Sequence, residues 1–160
     1  MRGQYECGFD NVAVTVAQDL IEILAPTDAI VEVPEFELSQ STELGDAQEE
    51  QLRLRWRRGI GTVTSGSGGS TSTPQPYEDG DVAFGGTVEV NNTTKMVAGT
   101  GSIENFPEFC WNVRQEKLKI QVPERCHTIS PGNRLVLELI AAPADSISMS
   151  MRCVVVEKGG

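Results

Sequence analysis

Cys126 and His127 are adjacent, and His127 is the single histidine of the chain. A thiol beside an imidazole suggests a nucleophile with its base, the pairing that covalent catalysis uses. Neighbouring residues of a strand point to opposite faces, however, so the two are badly placed to share a proton. A packed or exposed imidazole is the expected role. One histidine also excludes multi-histidine metal sites. The cysteines, Cys7, Cys110, Cys126 and Cys153, lie 103, 16 and 27 residues apart, which matches no C-x-x-C metal or redox spacing. A zinc site would need four distant segments to converge, and reduced thiols are the simpler expectation.

Acids are plentiful. Glu49 and Glu50, or Glu78, Asp79 and Asp81, could supply the two carboxylates of a glycosidase, which stand roughly 5 to 10 Å apart. A run of acids in a loop is more simply solvated, and aromatic platforms for a sugar are few. Asp79-Gly80-Asp81 offers oxygen ligands without the twelve-residue calcium loop pattern. No G-x-S-x-G elbow presents a serine. The glycine-rich stretch GSGGSTSTPQP at 66–76 lacks the following G-K-[ST] of a phosphate loop. No cofactor motif is present, and the residues give no catalytic constellation: the chain reads as a non-enzyme.

Arg53, Arg55, Arg57 and Arg58 form the densest basic group. The first three alternate with Leu52, Leu54 and Trp56, so one strand face is apolar and the other is basic. A solvated charged face is the plain reading. Pairing with carboxylates of a neighbouring subunit is the sharper one, because guanidinium forks suit bidentate contacts.

The elements around these groups read as strands. Val12, Val14 and Val16 alternate, and 20–24 resumes after Asp19, predicting two short strands. Residues 29–40 predict a longer strand in which Val31 and Val33 share one parity while Phe36 and Leu38 share the other; an extra residue near Pro34 and Glu35 is required, as a β-bulge or bend. Residues 41–49 are polar and acidic, suiting a loop or one helical turn. Residues 59–86 form a Gly/Ser-rich loop without apolar anchors in its centre, expected to order against a partner through Tyr77, Val82 or Phe84. Residues 85–94 hold short β-favouring pieces, and the sequon at Asn92 is fortuitous without a signal peptide. A strand over 109–122 places Leu118, Ile120 and Val122 on one face and Lys117, Lys119 and Gln121 on the other; with Phe106, Phe109 and Trp111 it is expected to supply core. The turn at Ser130, Pro131, Gly132 and Asn133 predicts a hairpin into Leu135, Leu137 and Leu139. A long strand follows from Ile147.

The 160 residues suit one domain. Thirteen Lys and Arg against 23 Asp and Glu give a net charge of -10, which repels nucleic acid and anionic lipid. The sequence has neither an apolar run of membrane length nor a basic and apolar leader at residues 1–10. Short alternating strands with no helical period predict an all-β domain over 1–160, a β-sandwich of jelly-roll type with long polar loops.

The stretches NVAVTVAQDLIEILAPTDAIVEVPEFELSQSTELGD at 11–46, QEEQLRLRWRRG at 48–59, GSGGST at 66–71, AFGGTVEVNNTT at 83–94, ISPGNRLVLELIAAPADS at 129–146 and the terminal EKGG resemble small β-rich virion proteins of tailed phages. What the resemblance implies is a head decoration, or cement, protein, made in the host cytoplasm and carried on the capsid surface. Such a protein would bind the major capsid protein and itself, as a homotrimer. Expected contact residues are Arg53, Arg55 and Arg57 for charge pairing, Tyr77 and Phe84 as anchors, and Tyr5 and Phe9 of an N-terminal arm. A tail, neck or receptor-binding virion component is a second reading, and a carbohydrate-binding or carbohydrate-processing module is a third from a different class.

Overall fold

The computed structural model describes residues 3–42 and 50–159; the loop or helical turn expected over 41–49 lies outside them from residue 43 onward. The described strands are β1 (Gly3–Val14), β2 (Asp19–Leu24), β3 (Ile30–Gln40), β4 (Gln51–Ile60), β5 (Ser70–Thr71), β6 (Gln75–Pro76), β7 (Thr87–Asn92), β8 (Ser102–Asn105), β9 (Phe109–Asn112), β10 (Lys117–Ile120), β11 (His127–Ile129), β12 (Arg134–Leu139) and β13 (Ile147–Lys158). One 3-10 turn, Pro123–Arg125, separates β10 from β11.

Two antiparallel sheets pack into a β-sandwich. The first runs β10-β3-β13-β1-β6, with β11 continuing beside β3; the second runs β5-β7-β2-β12-β4-β8, with β9 continuing beside β4. Period-two apolar residues make this layering: Leu52, Leu54 and Trp56 of β4 are all buried, as are Val31, Val33, Phe36 and Leu38 of β3. Side chains of one parity from each strand fill the space between the sheets.

The parity change in β3 is real and has the predicted cause. Val154 of β13 pairs with Glu35 and Val156 with Glu32, so Val33 and Pro34 together face Val155. Two residues against one is a bulge, and it sits where Pro34 has no N–H to give to a ladder.

Three expectations fail. Residues 3–10 are not an arm: β1 lies between β13 and β6, in the interior of its sheet. The expected strand over 109–122 is two strands in different sheets, β9 beside β4 and β10 beside β3. The turn at 130–133 exists, with Asn133 N–H donating to Ser130 C=O at 3.0 Å and Gly132 at φ 74°. It carries the chain from β11 in one sheet to β12 in the other, however, so it makes a crossing and not a hairpin.

The Gly/Ser-rich stretch is also more structured than its composition suggests. Thr64 bridges to Val97 and Ser67 to Thr94, β5 pairs with β7, and β6 pairs with β1. Backbone pairing replaces the missing apolar anchors.

Candidate interaction surfaces

Each arginine of the β4 face has a carboxylate partner within the chain, although the buried Arg57 Nε and Arg58 Nε make no hydrogen bond among the described residues. Arg53 Nη2 donates to Glu108 Oε2 at 2.6 Å and its Nε to the same oxygen at 2.9 Å. Arg55 Nε donates to Glu138 Oε2 at 2.5 Å, and Lys95 Nζ to Glu138 Oε1 at 2.8 Å. Arg57 donates to Met96 C=O at 3.0 Å, with Asp19 and Glu138 at 3.9 and 3.7 Å. Arg58 pairs with Glu104 at 3.2 Å and lies 5.0 Å from the Phe106 ring centre. Burial works to raise the Glu138 carboxyl, but the hydrogen bonds from Lys95 and Arg55 outweigh it and hold the group below its ordinary value. The arginines expected to reach a neighbouring subunit thus have partners at home.

Glu22 anchors the other half of this polar layer. It is buried, and it accepts from Arg134 Nη1 at 2.6 Å, Ser65 Oγ at 2.7 Å and Gly66 N–H at 2.9 Å. Asn92 also donates to it, at 3.3 Å, and to Glu89 at 3.0 Å. The Asn92 side chain is therefore built into the fold, which leaves no room for the glycan of its sequon. The glycine-rich segment closes over this layer because its small residues let the backbone approach: a Cβ on Gly69 would stand 2.0 Å from Val90 O.

Of the aromatic anchors, Tyr5, Phe9 and Phe84 are buried, a correction to their expected role at an interface. Tyr5 and Phe84 meet edge to face at 5.4 Å, and Tyr5 Oη donates to Val82 C=O at 2.9 Å. The signal was available, because Tyr5, Cys7 and Phe9 share one parity and all point inward. Tyr77 is the exception. It is 52% exposed and donates to Glu6 Oε2 at 2.6 Å, and burial, followed by that bond, pushes its phenol up to about 12. Glu6 belongs to a cluster around Arg152, which also holds Glu35 at 2.6 Å and Glu37 at 3.0 Å.

His127 is packed between Trp56 and Phe106, with ring centres at 5.3 and 4.6 Å. Burial first, and Arg58 second, push it down to about 4, so it is neutral at physiological pH. Cys126 turns its thiol to the Val122 and Gln121 carbonyls at 3.5 and 3.8 Å, and burial, followed by Glu32, raises it. Neither change suits a thiolate–imidazolium pair. Asp79 and Gly80 lie in an exposed turn. Among the described residues no group of three or more His, Cys, Asp or Glu is placed to hold a metal ion, and no helix is long and apolar enough to cross a membrane.

The feature that the sequence misleads about is β10. Lys117 pairs with Leu38 and Lys119 with Phe36, whereas Leu118 and Ile120 stand opposite Glu37 and Glu35. Partners in register point to the same face, so the lysines share the side of the buried Phe36 and Leu38 while the apolar residues face solvent. Leu118 is 49%, Ile120 66% and Val122 54% exposed. The lysines border a cleft of about 260 Å³ between the sheet margins, with Phe36, Trp56, Phe106, Phe109 and His127 on its walls. Lys117 Nζ lies 5.5 Å from the Phe109 ring centre. Among the described residues no strand pairs with the far side of β10.

No protein-family model, curated protein or solved structure matches this chain.

Proposed function

We propose that this protein is a structural component of a tailed-phage virion, a decoration protein that binds the outside of the capsid and stabilises the head. The observation that carries the reading is the outward turn of Leu118, Ile120 and Val122 at a sheet margin. A contiguous apolar strip left in water on an otherwise acidic, soluble sandwich is what a protein-docking surface presents. The resemblance of the strand and turn segments to phage virion proteins says which kind of partner to expect.

We also read the sandwich as a jelly roll. Support comes from the strand orders β1-β13-β3-β10 and β2-β12-β4-β8. Up to β4 each strand enters the opposite sheet, and the return through β12 and β13 does the same, which is the exchange of a rolled double Greek key. Viral capsid proteins are among the users of this architecture, although fold by itself assigns no function. On a shell, many copies of a modest contact add up to strong reinforcement.

The test is electron cryomicroscopy of phage particles together with rebinding of the purified chain to heads that lack it. Hundreds of copies spread over the head, and greater resistance of rebound heads to heat, are the expected results. A handful of copies at one vertex or on the tail would overturn the decoration reading in favour of a neck or tail component.

A further inference from the structure

We propose that the β10 margin of one copy of this chain receives the 77–82 segment of a second copy. The proposal rests on the same reading of the Leu118, Ile120 and Val122 strip as a protein-docking surface and assigns that strip to contacts between copies; the purified chain tests it apart from the capsid, so the two can fail separately.

The first observation is where the cations lie. Among the described residues, Arg53, Arg55, Arg57, Arg58, Lys95, Arg134, Arg152 and Lys158 all make ion pairs. Those without one among the described residues are Arg114, Lys117, Lys119 and Arg125, and all four fall between 114 and 125. Positive charge that the fold leaves unneutralised is thus concentrated at the margin where Leu118, Ile120 and Val122 are exposed.

The second observation is a complementary segment in the same molecule. Tyr77 and Val82 are 52% and 61% exposed, and between them stand Glu78, Asp79 and Asp81, none ion-paired among the described residues. Of the eight large apolar residues exposed in the described chain, five belong to these two segments. One segment combines apolar with basic groups, and the other combines apolar with acidic groups.

Within one copy the two segments sit at opposite margins of the first sheet. The 77–82 segment follows β6, which closes the first sheet at one margin, while β10 closes it at the other. Four strand steps of about 4.8 Å separate them by roughly 19 Å. A second copy is the partner that brings them together. Dissimilar patches at opposite margins make a heterologous contact, which repeats from copy to copy. The segment docks as the turn it forms, with Asp81 N–H donating to Glu78 C=O at 3.2 Å: its carboxylates meet the unpaired cations of the margin, and Tyr77 and Val82 meet the exposed apolar groups of the β10 margin.

Sedimentation velocity of the purified chain across micromolar to millimolar concentration tests this. The wild type is expected to self-associate, and to do so less in high salt, where charge attraction is screened. Two charge reversals, Lys117→Glu with Lys119→Glu and Glu78→Lys with Asp79→Lys, are each expected to raise the dissociation constant roughly tenfold or more. Mixing the two variants restores association, because each then carries the charge that the other requires. Ile120→Ser, at a solvent-facing position, should also weaken association while leaving the melting temperature in place, which separates docking from folding. A monomeric wild type at all concentrations, an acidic-segment variant that associates like the wild type, or a mixture that stays monomeric overturns the proposal.

Discussion

Asp19 Oδ1 lies 3.9 Å from Arg57 Nη1 and makes no hydrogen bond, while Asp19 Oδ2 accepts from Met96 N–H at 2.7 Å. The carboxyl is buried, and desolvation, opposed by the Met96 bond and by Arg57, pushes it up to about 7. An unfolded aspartate ionises near 3.8. Between these values the native state keeps a proton that the unfolded state has released. Stability from this group is therefore greatest at acid pH, declines as pH rises from about 4 to about 7, and is level above. Asp19→Asn should flatten that decline by roughly 2–4 kcal/mol, read from urea unfolding at a series of pH values. Glu138, whose carboxyl is lowered, gives the opposite slope, and its contribution is lost as pH falls below the ordinary carboxylate range. An unaltered slope in Asp19→Asn would show that Asp19 is ionised in the fold.

Arg134 neutralises Glu22, which is 1% exposed and ties three segments together. Arg134→Met leaves a buried carboxylate without its cation. Loss of one partner of a buried pair costs about 3–5 kcal/mol, and the variant should unfold at correspondingly lower denaturant. The double variant Arg134→Met with Glu22→Gln should recover part of that loss, because the amide still accepts from Gly66 and carries no charge.

The orientation of β10 predicts an unusual contrast. Leu38, fully buried opposite Lys117, should lose about 2–5 kcal/mol on truncation to Ala. Ile120→Thr and Leu118→Thr should change stability by no more than about 0.5 kcal/mol, as surface substitutions do. Thermal or denaturant unfolding of the three variants decides it. A large loss at Ile120 would mean that the strand faces the other way.

Gly8 has φ 151°, and a Cβ there would stand 1.9 Å from Met151 O. Gly132 also has positive φ, at 74°, but a Cβ there meets nothing within 4 Å. Gly8→Ala must displace the β1–β13 ladder at the centre of its sheet, and it is expected to lose more than 3 kcal/mol, a change at the far end of the mutational range. Gly132→Ala should lose about 1–2 kcal/mol, the strain of a left-handed residue alone. Chemical unfolding of both variants side by side gives the comparison.

Much of the fold is legible residue by residue. The alternation at Leu52, Leu54 and Trp56 names a strand and its buried face, because burying three large apolar groups of one parity removes their surface from water and both neighbours of β4 supply a sheet to bury them. The parity change between Val33 and Phe36 demands a bulge for the same reason, and Pro34 locates it. Candidate site residues were less legible. Tyr5, Phe9 and Phe84 carry the side chains that interfaces favour, but cores favour them as well, and composition does not separate the two uses. Arg53, Arg55 and Arg57 face outward as the alternation implies, yet their partners Glu108, Glu138 and Asp19 lie 55, 83 and 38 residues away in sequence, beyond the reach of any local pattern.

Alternation by itself determined that this chain is built of strands, where most of them run, and where β3 must break its rhythm, since side-chain direction along a strand is a local property of the backbone. It divides 117–122 into a lysine face and an apolar face, and the expectation that the apolar face supplies core fails. Tertiary structure decided that: β10 takes its register from β3 at a sheet margin, where no second layer among the described residues shields its outer side, and the pairing of Lys117 with Leu38 turns Leu118 and Ile120 to water.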